Sequence, residues 1–128
     1  MRFLLDTHTL LWWWGDPEKL SDQAIILLKD PKNRIFVSAA SAIEVATKTR
    51  VGKLDDGRII VESWDQRLQV DGFLELAIAS KHALKAGIMS GEHRDPFDRL
   101  LSAQSLIENL PVIGCDPSIP RFGVKQLW

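Results

Sequence analysis

With one cysteine, Cys115, in 128 residues, the chain has no intrachain disulfide and no cysteine-rich zinc site. Nor does any apolar run approach the ~20 residues needed to cross a bilayer; the longest, Leu10 to Trp14, stops far short, so no membrane partner is expected. The opening MRFLLDTHTL has an aspartate inside its apolar run and no small-residue cleavage pattern. A soluble, cytoplasmic protein is the expectation. A charge excess is missing too: 16 Lys and Arg stand against 17 Asp and Glu, a net charge of −1. That balance neither demands nor excludes nucleic acid, because a local basic surface can be offset by acids elsewhere. There is no phosphate loop of the GxxxxGK type, no repeat, no linker and no low-complexity stretch. What is there, 45% apolar and 26% charged residues, is ordinary globular composition. Residues 1–128 are expected to form a single domain.

Strand and helix signals alternate. RFLL reads as a short buried strand ending at a polar turn, DTHT, and Thr9 to Trp14 as helix. After Gly15-Asp16-Pro17, a helix capped by Ser21 or Asp22 carries Ala24, Ile25, Leu27 and Leu28 and stops at Pro31. RIFVS is a second buried strand. In SAIEVATKTRVGKL, Ser41 with Glu44 three residues on has the capping-box pattern, and Gly52 suits the C′ position. Arg58 to Leu68 has apolar residues at helical intervals, DGFLELAI reads as a strand, and SKHALKAGI as a helix capped by Ser80. A long helix opens with Asp95 as N-cap and Pro96 at N1. LPVIGCD is a strand ending in acid, and the tail PSIPRFGVKQLW has room for one edge strand. The alternation implies an α/β domain with a mainly parallel sheet.

Each acid near these boundaries has a local explanation. Asp95 as N-cap is worth ~1 kcal/mol; Glu44 suits a capping box or an i,i+4 pair with Lys48 worth ~0.3–0.5 kcal/mol. Asp98 in the first turn favours the helix dipole, and Asp6 and Asp116 suit turns. Local roles do not explain their joint placement. Asp6 and Asp116 end strands, Glu44 follows the second strand, and Asp98 opens a helix, so a parallel sheet puts all four toward its carboxyl edge, where ligands bind in open α/β folds. Carboxylates held close repel unless some are protonated or a cation sits among them. Oxygen-only ligands favour Mg²⁺ or Mn²⁺. The chemistry indicated is metal-assisted phosphodiester hydrolysis.

At these residues the chain resembles the PIN-domain ribonucleases, and within them the VapC-like toxins of type II toxin-antitoxin modules. LLDTHTLLW, SAASAIEVATKTRVGKL, HRDPFDRLLSAQS and LPVIGCD stand in that family's order and spacing, nearly end to end. The resemblance implies a three-layer α/β/α domain with a short parallel sheet and an acidic pocket at the strand carboxyl ends. It also implies a Mg²⁺- or Mn²⁺-dependent endoribonuclease held in check by a small, VapB-like antitoxin. By position, Asp6, Glu44, Asp98 and Asp116 match the family's metal-binding acids, with Thr7 supporting Asp6 by hydrogen bonding and Asp95 an N-cap first and an outer acid second. One departure stands out: the family usually has Thr or Ser two residues before the last aspartate, and this chain has Gly114. If a missing hydroxyl limits activity, Gly114→Thr raises cleavage.

Arg94, Arg99 and Lys48, with Arg50 and Lys53, are candidate contacts to RNA phosphates, set against solvated faces and i,i+4 pairs. His8 and His93 lie near the acids in sequence and suit surface or supporting positions; His82 reads as an ordinary helix residue, and Cys115 as a packed thiol. Adjacent side chains on a helix diverge by ~100°, so at least one of Trp12, Trp13 and Trp14 is expected to be exposed. An exposed tryptophan suits a second copy, giving a homodimer, or an antitoxin helix. Two other readings compete. One is a PIN-like RNA-binding or protein-interaction module of weak or no activity, for which Gly114 is the hint. The other is a phosphotransfer protein using Asp6 as nucleophile, which wants an aspartate at position 8, where His8 stands.

Overall fold

Phe3, Leu4 and Leu5 are all buried, because the strand that carries them is covered on both faces and needs no polar alternation. In the computed structural model, which describes residues 1–128, that strand is β1 (Arg2–Leu5). The others are β2 (Arg34–Ser38), β3 (Leu74–Leu76), β4 (Val112–Ile113) and β5 (Gln126–Leu127). The order is β3-β2-β1-β4-β5 with every pair parallel, so β1 is central: Leu5 lies beside Val37 on one side and Ile113 on the other.

The helices are α1 (Thr7–Gly15), α2 (Asp22–Lys29), α3 (Ala39–Arg50), α4 (Gly57–Glu62), α5 (Trp64–Asp71), α6 (Ser80–Ile88) and α7 (Pro96–Glu108). Strand periodicity divides the core in two. Phe3 and Leu5 point to a cluster with Leu10 of α1, Ala24 and Leu28 of α2 and Leu68 of α5. Leu4 points to the other face, with Leu101 of α7, Leu110, Ile119 and Val124. Helices therefore cover both faces of the sheet, giving the expected three-layer α/β/α architecture. No helix is long and apolar enough to cross a membrane.

Several boundaries differ from the sequence expectation. The polar turn after β1 is the single residue Asp6, extended at φ −68° and ψ 148°, and Thr7 already begins α1. Ser38 caps α3, accepting from the Ala40 N–H at 2.9 Å; Ala39 and Ala40, good helix formers, carry the helix back to the strand end. Ser41 is buried inside the helix, and Glu44, in the second turn, is no capping-box residue. The 58–68 stretch is two helices broken at Ser63, whose hydroxyl donates to the Ile59 carbonyl. Ser80 is the first residue of α6, and the His82 imidazole, accepting from the Ala79 N–H at 2.9 Å, supplies the cap. The remaining signals hold. Ser21 caps α2, Asp95 caps α7 by accepting from Phe97 and Asp98, and Gly52 ends α3 with φ +74° and a bond from Lys53 back to Lys48. The tail does add an edge strand, β5.

Candidate metal centre

Asp6 stands where β1 passes into α1, its N–H donating to the Ile113 carbonyl across to β4. Only 4% of it is exposed. Its carboxyl is pushed up from 3.8 to about 7, first by burial and then by the negative charges of Asp98, Asp116 and Glu44, against the Thr7 N–H, which lowers it. The charges of the other three acids picked out in the sequence thus reach Asp6 at the carboxyl edge of the sheet.

Three of them are fixed by one oxygen. Asp98 Oδ2 lies 2.8 Å from His93 Nε2, Glu44 Oε2 pairs with the Lys48 ammonium at 3.1 Å, and Asp116 Oδ1 accepts from the Ser118 N–H at 2.8 Å. Their second oxygens have no protein hydrogen bond. Anchored carboxylates with a free oxygen each, gathered around a buried acid, suit a hard divalent cation. Burial also raises the Asp98 carboxyl; His93 opposes that, while Asp95 and Asp116 add to it. The trio whose ligand atoms all lie within 4.8 Å of one another is His93, Asp95 and Asp98. No three of the four predicted acids bring their oxygens that close.

Gly114 faces Asp6 directly. A Cβ on it would lie 2.7 Å from Asp6 Cβ and 3.3 Å from its Cγ. A side chain at 114 would therefore collide with Asp6, which accounts for a glycine there.

Other assignments change as well. The Thr7 hydroxyl bonds Ser41 Oγ at 2.8 Å instead of Asp6, which Thr7 supports through its backbone. Arg99 is taken up within the protein: its guanidinium donates to the carbonyls of Ala86, His93 and Met89 and lies over the Phe122 ring. Arg94 is exposed, and Lys48 is the partner of Glu44. Cys115 is exposed instead of packed, its thiol pushed up by desolvation and by Asp6 and Asp116, which leaves it a poor nucleophile. His82 is a helix residue as expected, buried in α6. None of the three tryptophans is freely exposed. Each is half-buried against the core beside its own aromatic neighbour: Trp12 by Trp128, Trp13 by Phe73 and Trp14 by Trp64. The supporting role of Ser118 went unread in the sequence, although Asp-Pro-Ser is an Asx-turn signature.

No curated protein matches the chain. Solved structures share its fold at low identity. VapBC2 from Rickettsia felis, bound to a DNA fragment from their promoter, aligns at TM-score 0.72 and 16% identity over 99% of this chain and 98% of that one. VapBC-1 from nontypeable Haemophilus influenzae aligns at 0.67 and 16% over 99% and 97%. FitAcB from Neisseria gonorrhoeae gives 0.65 and 17% over 100% and 97%. The family model of the PIN domain matches residues 3–125, which, with the parallel sheet and the acids at its carboxyl edge, makes this chain a member of the PIN-domain family.

Proposed function

We propose that the protein is a divalent-metal-dependent endoribonuclease and the toxin of a toxin-antitoxin pair. The observation that carries this reading is Asp6, buried and crowded by three further carboxylates whose free oxygens suit Mg²⁺ or Mn²⁺. The likeness to VapBC and FitAcB structures supports the partner, a VapB-like antitoxin. A cation bound there supplies Lewis-acid polarisation of a phosphodiester and lowers the pKa of water. Asp6, Glu44, Asp98 and Asp116 hold it; His93 orients Asp98, Lys48 orients Glu44, and the Ser118 N–H orients Asp116. Arg94, exposed and next in sequence to His93, contacts RNA phosphates.

The homodimer reading shifts to another surface. Leu84 and Ile88, one turn apart on α6, are 73% and 86% exposed, an apolar pair that suits a second copy better than the half-buried tryptophans.

The test is cleavage of structured and single-stranded RNAs by the antitoxin-free protein with Mg²⁺, Mn²⁺ or EDTA. Cutting should need metal and vanish in Asp6→Asn and Asp98→Asn. Cutting that persists in EDTA, or in either variant, overturns the proposal.

A further inference from the structure

We propose that Arg99 and Phe122 form a clamp that positions His93 and, through it, the Asp98 carboxylate at the acidic site; this rests on the reading of the four acids as a metal site. Phe122 closes a short helical turn, Pro120–Phe122, after β4. Neither residue is a ligand. Both act through the imidazole.

His93 needs support from outside its own segment, because residues 89–95, between α6 and α7, form neither helix nor strand. Three contacts converge on the Phe122 ring. The Arg99 guanidinium lies 5.6 Å from its centre, inside the ~6 Å range of a cation–π contact. The His93 imidazole is 6.0 Å away, centre to centre, and tilted by 59°, as aromatic pairs at ~4.5–7 Å are. The backbone at Gly91 passes so near that a Cβ there would lie 3.5 Å from Phe122 Cε1. The same guanidinium donates to the carbonyls of Ala86, Met89 and His93, so arginine and ring together hold the segment along its length. His93 Nε2 then meets Asp98 Oδ2 at 2.8 Å.

The ring can serve as an anchor because it is itself held. It packs against the buried cluster that includes Leu101, Ile119 and Val124, and the Phe122 N–H donates to the Ile119 carbonyl at 3.1 Å. The Ile119 N–H in turn donates to the Asp116 carbonyl at 3.2 Å. One segment therefore carries both Asp116 and the ring that supports the partner of Asp98, which ties the placement of the two acids together. A leucine at 122 keeps the cluster filled but offers no π face to the guanidinium and no ring to the imidazole.

The experiment titrates the full chain with Mn²⁺ alone, reading the free ion by electron paramagnetic resonance, beside melting temperature and RNA cleavage. Phe122→Leu should weaken Mn²⁺ binding about 10-fold, the lower end of the ~10–100-fold loss that follows removal of a ligand's direct partner, and Phe122→Tyr should retain the parent affinity. In a His93→Ala background Phe122→Leu should cost nothing further, since the clamp acts through the imidazole. Arg99→Lys keeps the charge and loses the fork; it should show the same dependence on His93, and it decides the matter if Phe122→Leu fails to fold. Val124→Ala, which loosens the cluster beside the ring, should lower the melting temperature and leave Mn²⁺ affinity alone. Parent affinity in Phe122→Leu and Arg99→Lys, an equal loss in Val124→Ala, or losses that add to that of His93→Ala overturn the clamp. RNA cutting by variants of parent Mn²⁺ affinity overturns the clamp and leaves the nuclease standing; clamp-dependent Mn²⁺ binding with no RNA cut does the reverse. A parent that binds no Mn²⁺ overturns both.

Discussion

Asp6 and Gly114 are sterically coupled, because the main chain at 114 approaches so closely that a side chain there would displace the aspartate. Gly114→Ala should cost ~1–3 kcal/mol through overpacking and lower metal-dependent cleavage; Gly114→Thr should do worse, not better. Urea unfolding and cleavage rates check both, and a more active threonine variant would contradict the steric account. His93 tests orientation. Removing it frees Asp98 Oδ2, so His93→Ala should weaken Mn²⁺ binding ~10–100-fold in a metal titration. Asp6, Asp98 and Asp116 were legible in the sequence because they sit at or near element boundaries, whereas Glu44 lies in the second turn of α3. The reason for Gly114 was not legible, since the collision joins residues 6 and 114, which only the sheet brings together.

At the scale of elements, the helices are started by local caps and joined by side chains that reach beyond their own helix. Arg99 of α7 holds the chain between α6 and α7 through three carbonyls. Arg99→Ala should therefore destabilise the protein by about 2 kcal/mol, as lost charge-assisted bonds do, and speed amide exchange over residues 86–93. The salt dependence of RNA binding should not change. Arg94→Ala should do the opposite, leaving stability alone and reducing that salt dependence. On α6, Leu84→Lys with Ile88→Lys should shift sedimentation toward the monomer if this face joins two copies. An unchanged mass would move the interface elsewhere.

The whole molecule bears the cost of holding its acids together. Asp6 titrates at 3.8 in its ordinary state and at about 7 in the fold, so between these values the native state binds a proton that the unfolded chain has released. Native stability in EDTA should be greatest below about pH 4 as far as this group is concerned. It should fall as pH rises to about 7, by roughly 4 kcal/mol in all, and then level off. Asp6→Asn should flatten this slope and melt higher than the parent at pH 8 in EDTA. Added Mg²⁺ or Mn²⁺ should raise the parent's melting temperature at pH 8 and leave the Asp6→Asn variant nearly unmoved. A parent protein whose melting temperature ignores both pH and metal would contradict the crowded carboxylate site.

The sequence by itself determined the α/β class, the parallel alternation and the four acids. These depend on local signals: apolar runs of strand length, an Asp-Pro helix start, and acids placed where strands end. Tertiary structure decided what those signals leave open. Ser38 displaced Ser41 as cap because the strand end already held the extended backbone a cap needs, freeing Ser41 to bond Thr7. Arg99 became a latch because carbonyls thirteen and ten residues before it lie within reach of its guanidinium. The three tryptophans found separate half-buried neighbours because α1 lies against the core along its length and meets Phe73, Trp64 and Trp128 from different parts of the chain. For Ser41 and the tryptophans a side chain with several local options was settled by a partner far away in sequence, about which local patterning carries no information.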